Sequence, residues 1–177
     1  MIRELQIKHS EWASRNFPNA VPEDALIGII EEVGELAHAH LKAKQGIRGT
    51  PEQHRLDKMD AIGDIVMYLL HYSTLEKMDI PKEYIKNRKL EYCSNADDTL
   101  LSLSAEIGKL SDYHLEGKHE PEIDNKGFRR YTIINIMRHI DAYCKLENFD
   151  RDQILQETWT EISQRDWLKN KENGVTE

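Results

Sequence analysis

Only two cysteines, Cys93 and Cys144, occur in 177 residues, and they show no zinc-type spacing. A disulfide framework and a structural zinc site are therefore excluded as organising devices. No stretch alternates apolar and polar residues between hairpin turns, which argues against a sandwich or barrel. No apolar run approaches membrane length, and the first residues do not resemble a secretory leader. Cationic charge is in deficit: 24 Lys and Arg stand against 32 Asp and Glu, a net charge of −8. Such a chain is a poor binder of nucleic-acid polymers or anionic membranes, although a small anion can still be held through a cation. These absences together lead us to expect a soluble, cytoplasmic protein without a membrane partner.

What remains is helical. The five prolines and most of the nine glycines fall at breaks, and between them the apolar residues recur at helical spacing. The pattern predicts helices over roughly 3–16, 22–45, 51–77, 81–93, 97–116, 127–147 and 150–170. Pro22 followed by Glu23 and Asp24, and Thr50-Pro51-Glu52, are strong helix openings. The expected fold class is all-α, a helical bundle in a single domain over 1–177.

The chain also repeats itself. At an offset of 74, Leu26–Leu41 aligns with Leu100–Leu115, with identities at Leu26, Glu32, Gly34, Leu36, His40 and Leu41. At an offset of 71, YSTLEKMD at 72–79 lies on YCKLENFD at 143–150. The shared order of segments indicates a duplicated helical hairpin, with repeats over 1–93 and 94–177. Gly34 and Gly108, recurring in both copies, are expected to permit close helix approach, and His40 and His114 to be structural.

The first copy carries carboxylates that the second has lost. On a helical wheel Leu26, Ile29, Ile30, Val33, Leu36 and Ala37 form an apolar arc, Glu31 and Glu35 face away from it, and Glu32 lies on the flank. Asp60 and Asp64 are i,i+4 on the next helix. If the two helices pack antiparallel, Glu31, Glu32, Glu35, Asp60 and Asp64 converge, and hard oxygen donors from two helices suit Mg²⁺, with Mn²⁺ as a substitute. In the second copy Glu31, Glu35, Asp60 and Asp64 are replaced by Ala105, Lys109, Tyr131 and Asn135, and only Glu32 persists, as Glu106. The apolar scaffold survives without the acids, so they are not needed to fold the hairpin.

EEVGE at 31–35 followed by IGD at 62–64 resembles the EXXE…EXXD signature of the MazG-like, all-α nucleoside triphosphate pyrophosphohydrolases. GIIEEVGELAHAHLKAKQGIRG, DAIGDIVMYLL and, near the end, ETWTEISQRDWLKN resemble a MazG-like subgroup. The resemblance implies a bundle of the MazG and dimeric-dUTPase type, with two tandem hairpins forming a pseudo-dimer whose second half is degenerate. It also implies Mg²⁺-dependent cleavage of a nucleoside triphosphate to monophosphate and pyrophosphate, in a house-cleaning or pool-control role. Carried over by position, Glu32, Glu35 and Asp64 hold metal. The Glu of EXXD falls on Ala61, a departure that makes Asp60 the substitute ligand. Glu31 and Glu32 are candidates to take the proton of the attacking water, so the catalytic set is Glu31, Glu32, Glu35 and Asp64. Lys42, Arg48, Lys58, Arg165 and Lys169 are candidates for the phosphates, and Trp12, Asn16 and Phe17 for the base. Trp159 and Trp167 are expected in the core or an interface. A homodimer is expected. The competing readings are a catalytically weak MazG-like protein that binds nucleotide or metal, and a purely structural helical module.

Overall fold

The computed structural model describes residues 1–80 and 94–175. Among these it contains six helices and no strand: α1 Ile2–Asn16, α2 Pro22–Gln45, α3 Pro51–Leu75, α4 Ala96–His119, α5 Lys126–Glu147 and α6 Arg151–Ile162. The all-α expectation holds. The helix expected over 81–93 lies outside the described residues.

The helix limits follow from local chemistry. At α2, Asp24 in the first turn accepts from the Val21 amide at 2.9 Å, and Gly46 closes the far end at φ +65. There the Gly46 and Ile47 amides return to Ala43 and Lys42 carbonyls, satisfying orphan acceptors. Thr50 caps α3, its hydroxyl accepting from the Gln53 amide at 3.1 Å. Asn95 does the same for α4 with Asp98 at 2.8 Å. Asn148 ends α5 at φ +57, a conformation asparagine tolerates better than most residues.

The chain forms two compact units, Met1–Asp79 with Arg151–Glu177, and Ile80–Asp150. The second repeat read from the sequence began at 94 and ran to 177. The second unit instead ends at Asp150, because α6 packs on α3 of the first. In the first unit α2 and α3 form a hairpin, with α1 and α6 both laid on α3. Its core includes Ile29, Leu36, Ile62, Ile65, Leu69, Leu70 and Tyr72, all fully buried. In the second unit α4 and α5 form the other hairpin.

Three expectations are corrected. The final helix stops at Ile162 rather than 170. Beyond it the chain turns back and is tied to α1: the Trp12 indole donates to the Arg165 carbonyl at 3.0 Å, and the Trp167 amide donates to Asn16 Oδ1 at 2.7 Å. These tertiary hydrogen bonds replace those of a continued helix. Ile30 was placed on the core arc, yet it is 51% exposed, while Ile29 and Leu36 are fully buried. Within its own unit neither Gly34 nor Gly108 serves close packing, since a Cβ at either would meet nothing within 4 Å. Close approach falls instead to Gly28, where a Cβ would lie 2.5 Å from the Tyr68 ring, and Gly63, where it would collide with Thr158 of α6.

Candidate active site

The first unit brings carboxylates from α2 and α3 to one place. Glu32, half-buried on α2, is pushed up to about 8, first by burial and then by the charge of Asp64, followed by Glu35, Glu31 and Asp60. Asp64, half-buried on α3, is pushed up to about 6 by burial and by Asp60, against the opposing charge of Arg165. Asp60 is an exposed residue whose carboxyl is also raised, by burial and then by Glu161, with Arg165 pulling it down. Glu31 and Glu35 are exposed at the rim. The charges of these acids therefore act on one another across the two helices. Tyr68, one turn beyond Asp64, is raised by burial and by Glu32 and Asp64, which places its phenol beside the same charges.

At the aligned positions the second hairpin holds a different set of side chains. Glu106, the counterpart of Glu32, accepts from Lys109 at 2.7 Å and from Asn135 at 3.5 Å. Asn135 is the counterpart of Asp64, so an acid and an amide satisfy each other there. In the first hairpin the same two positions hold two carboxylates, which cannot hydrogen-bond to each other unless one is protonated. Without a cation the pair keeps a proton near neutrality, as the rise of Glu32 records.

Among the described residues, no three His, Cys, Asp or Glu side chains are gathered closely enough to make a ready-made metal cage. The donor set still fits Mg²⁺, which keeps several waters and commonly takes one or two carboxylates plus substrate phosphates. Glu32 and Asp64 are the central pair, with Glu35 and Asp60 at the edges.

Beside Asp64 opens a cavity of about 130 Å³, lined by His9, Trp12 and Phe17 with Tyr68, His71 and Trp167. Asp64 and Arg165 also line it, so an aromatic recess meets a carboxylate and a guanidinium. His9 is buried, with Nδ1 lacking a hydrogen-bond partner. It is pushed down to about 3 by burial, then by His71, so the ring stays neutral. A second recess of about 430 Å³ shares Phe17, Tyr68 and His71 and extends toward Asp24.

The other sequence candidates fall variously. Arg165 reaches the site, paired with Glu161 and set 5.9 Å over the Trp167 ring. Trp12 and Phe17 line the cavity, their rings edge-on at 5.7 Å. Asn16 spends its amide on the Trp12 carbonyl at 3.1 Å and on the Trp167 amide, so both ends hold the walls together. Lys42 donates to Gln45 at 3.2 Å, and Lys169 pairs with Asp166 at 3.1 Å. Arg48 is exposed at φ +60 in the α2–α3 turn, and Lys58 is buried on α3. None of these four lines the aromatic cavity.

No protein-family model, curated protein or solved structure matches the chain. Sequence reasoning missed His9, Tyr68, His71 and Trp167. Two signals were present. Asp64, Tyr68 and His71 continue one face of α3 at i, i+4 and i+7, and His9 lies on the face of Trp12 and Asn16. Trp167 had no such signal, since only the turn after α6 brings it there.

Proposed function

We propose that this protein is a Mg²⁺-dependent nucleoside triphosphate pyrophosphohydrolase, similar to the MazG-like enzymes, releasing pyrophosphate and a nucleoside monophosphate. One observation carries the reading. Two carboxylates, Glu32 and Asp64, stand where the second hairpin has a satisfied acid–amide pair, and Asp64 lines an aromatic recess. A folded core gains nothing from such a pair, whereas a cation gains two ligands.

Glu32, Glu35, Asp60 and Asp64 would hold the ion, with Asp60 standing in for the family's missing acid at Ala61. When bound, Mg²⁺ supplies charge neutralisation on phosphate oxygens and acidifies a water. The chain's own groups do the rest. Arg165 lines the same cavity as Asp64 and would supply a cation for phosphate. Trp12, Phe17 and Trp167 give flat apolar surfaces for a base. Glu31, exposed on α2 next to Glu32, would accept the proton of the attacking water.

The test is pyrophosphate release from a panel of NTPs and dNTPs with and without Mg²⁺. Turnover that needs Mg²⁺ and disappears in Glu35→Gln and Asp64→Asn is the expected result. Tight nucleotide binding without release would favour a binding protein instead, a reading motivated by Ala61. No effect of metal or nucleotide on melting would leave only a helical module.

A further inference from the structure

Ala61 carries only a methyl group and is closed to solvent, at 1% exposure. Any replacement for the missing acid beyond the short Asp60 side chain has to come from another element. Helix α6 lies against this part of α3. Gly63 has no Cβ, and Thr158 of α6 fills the space that one would take. The Thr158 hydroxyl donates to the Ile154 carbonyl at 2.9 Å, which holds it there. Three residues on, along the same face of α6, Glu161 lines a recess of about 320 Å³ together with Asp60. Asp57 and Glu157 also line this recess, and no lysine, arginine or histidine does.

The four acids of the recess differ in what they already hold. Asp57 accepts from the Gln53 amide at 2.7 Å, and Glu157 from the Gln153 amide at 2.8 Å. Glu161 is paired with Arg165. Asp60 makes no hydrogen bond or ion pair among the described residues. The α3 pair Asp60–Asp64 and the α6-side pair Glu161–Arg165 share a four-residue spacing and adjoin one another. Asp60 shares the recess with Glu161, and Asp64 shares the aromatic cavity with Arg165. The charge of Glu161 raises both aspartates, and that of Arg165 lowers both. The Glu161 side chain is 65% exposed, so its carboxylate can turn from Arg165 toward Asp60 without disturbing the core.

We infer that, with Asp60 and Asp64 as metal ligands in the function proposed above, Glu161 is a further ligand, supplying from α6 the acid that Ala61 lacks. Its extra methylene gives the reach that Asp60 is short of. Once Glu161 holds the cation, Arg165 loses its carboxylate partner, and its guanidinium, already lining the cavity of Asp64, is free for a phosphate.

The test is titration of the full chain with Mg²⁺ alone, by calorimetry, and with Mn²⁺, by the electron paramagnetic resonance signal of the free ion. Glu161→Gln is expected to weaken binding at least about tenfold, the lower end of what loss of even an outer partner costs a metal site. Glu157→Gln removes the same charge from the same helix and recess, and is expected to change affinity a few-fold at most. In an Arg165→Gln background, Glu161→Gln is still expected to weaken binding, which a mere counter-ion of Arg165 would not do. Circular dichroism checks that each variant is folded, and Glu161→Ser serves the same comparison should Glu161→Gln misfold. Equal losses for Glu157→Gln and Glu161→Gln, or no loss in the Arg165→Gln background, would overturn the role of Glu161. Asp64→Asn separates the two readings: if it abolishes binding while Glu161→Gln does not, the site proposed on α2 and α3 stands without α6. Should the wild type bind neither ion, both fall.

Discussion

Replacing Glu32 by Gln removes a charge that the fold opposes. In the metal-free protein the carboxyl rises from 4.5 to about 8, which at about 1.4 kcal/mol per unit corresponds to about 5 kcal/mol. The group is only half-buried, and solvent screening reduces this to roughly 2 kcal/mol. The sign follows from proton linkage. Folded Glu32 keeps its proton above the pH at which the unfolded chain loses it, so stability falls as pH rises from about 4.5 to about 8 and the full penalty is present above that window. Glu32→Gln does not titrate. Its advantage over wild type is therefore expected to grow from about zero near pH 4.5 to roughly 2 kcal/mol at pH 8.5. The assay is urea unfolding in EDTA at several pH values, followed by tryptophan fluorescence. Trp12, Trp159 and Trp167, all the tryptophans of the chain, lie in the unit that holds Glu32. A difference that is independent of pH, or a variant less stable than wild type at pH 8.5, would refute the reasoning.

Mg²⁺ is expected to raise the wild-type melting temperature more at pH 8 than at pH 5.5, with release of protons on binding, since Glu32 and Asp64 must be deprotonated to ligate. The shift is expected to vanish with EDTA and to be much reduced in Asp64→Asn, by differential scanning fluorimetry. His9, lowered from 6.5 to about 3, binds its proton in the unfolded chain first, so stability is lost as pH falls through that range. His9→Phe is expected to move the acid-unfolding midpoint to lower pH, and an unchanged midpoint would rule out this buried ring as a source of acid sensitivity. Gly63→Ala forces a Cβ into Thr158 and separates α3 from α6. A loss of about 1–3 kcal/mol is expected in urea melts, part of it recovered by Thr158→Ala.

The sequence by itself determined the helices and the acidic pairs. Period, prolines and caps set α1, α2 and α3 almost to the residue, because each of those signals acts within one turn of the backbone. The i,i+4 spacing of Asp60 and Asp64 and the closeness of Glu31, Glu32 and Glu35 in sequence were visible for the same reason, and the α4–α5 hairpin forms with other residues at the aligned positions. Tertiary structure decided what depends on a distant partner. Ile30 fits an apolar arc on the wheel, but only the seating of α2 on α3 determines which side of the arc faces the core. The last helix ends at Ile162 because Trp12 and Asn16, some 150 residues earlier, claim the groups that follow. Trp167, Tyr68 and His9 become walls of one cavity only once α1, α3 and the final turn are brought together. A short-range pattern fixes which groups a helix presents, whereas burial, and with it the raised carboxyl of Glu32, arises only when another segment of chain excludes the water.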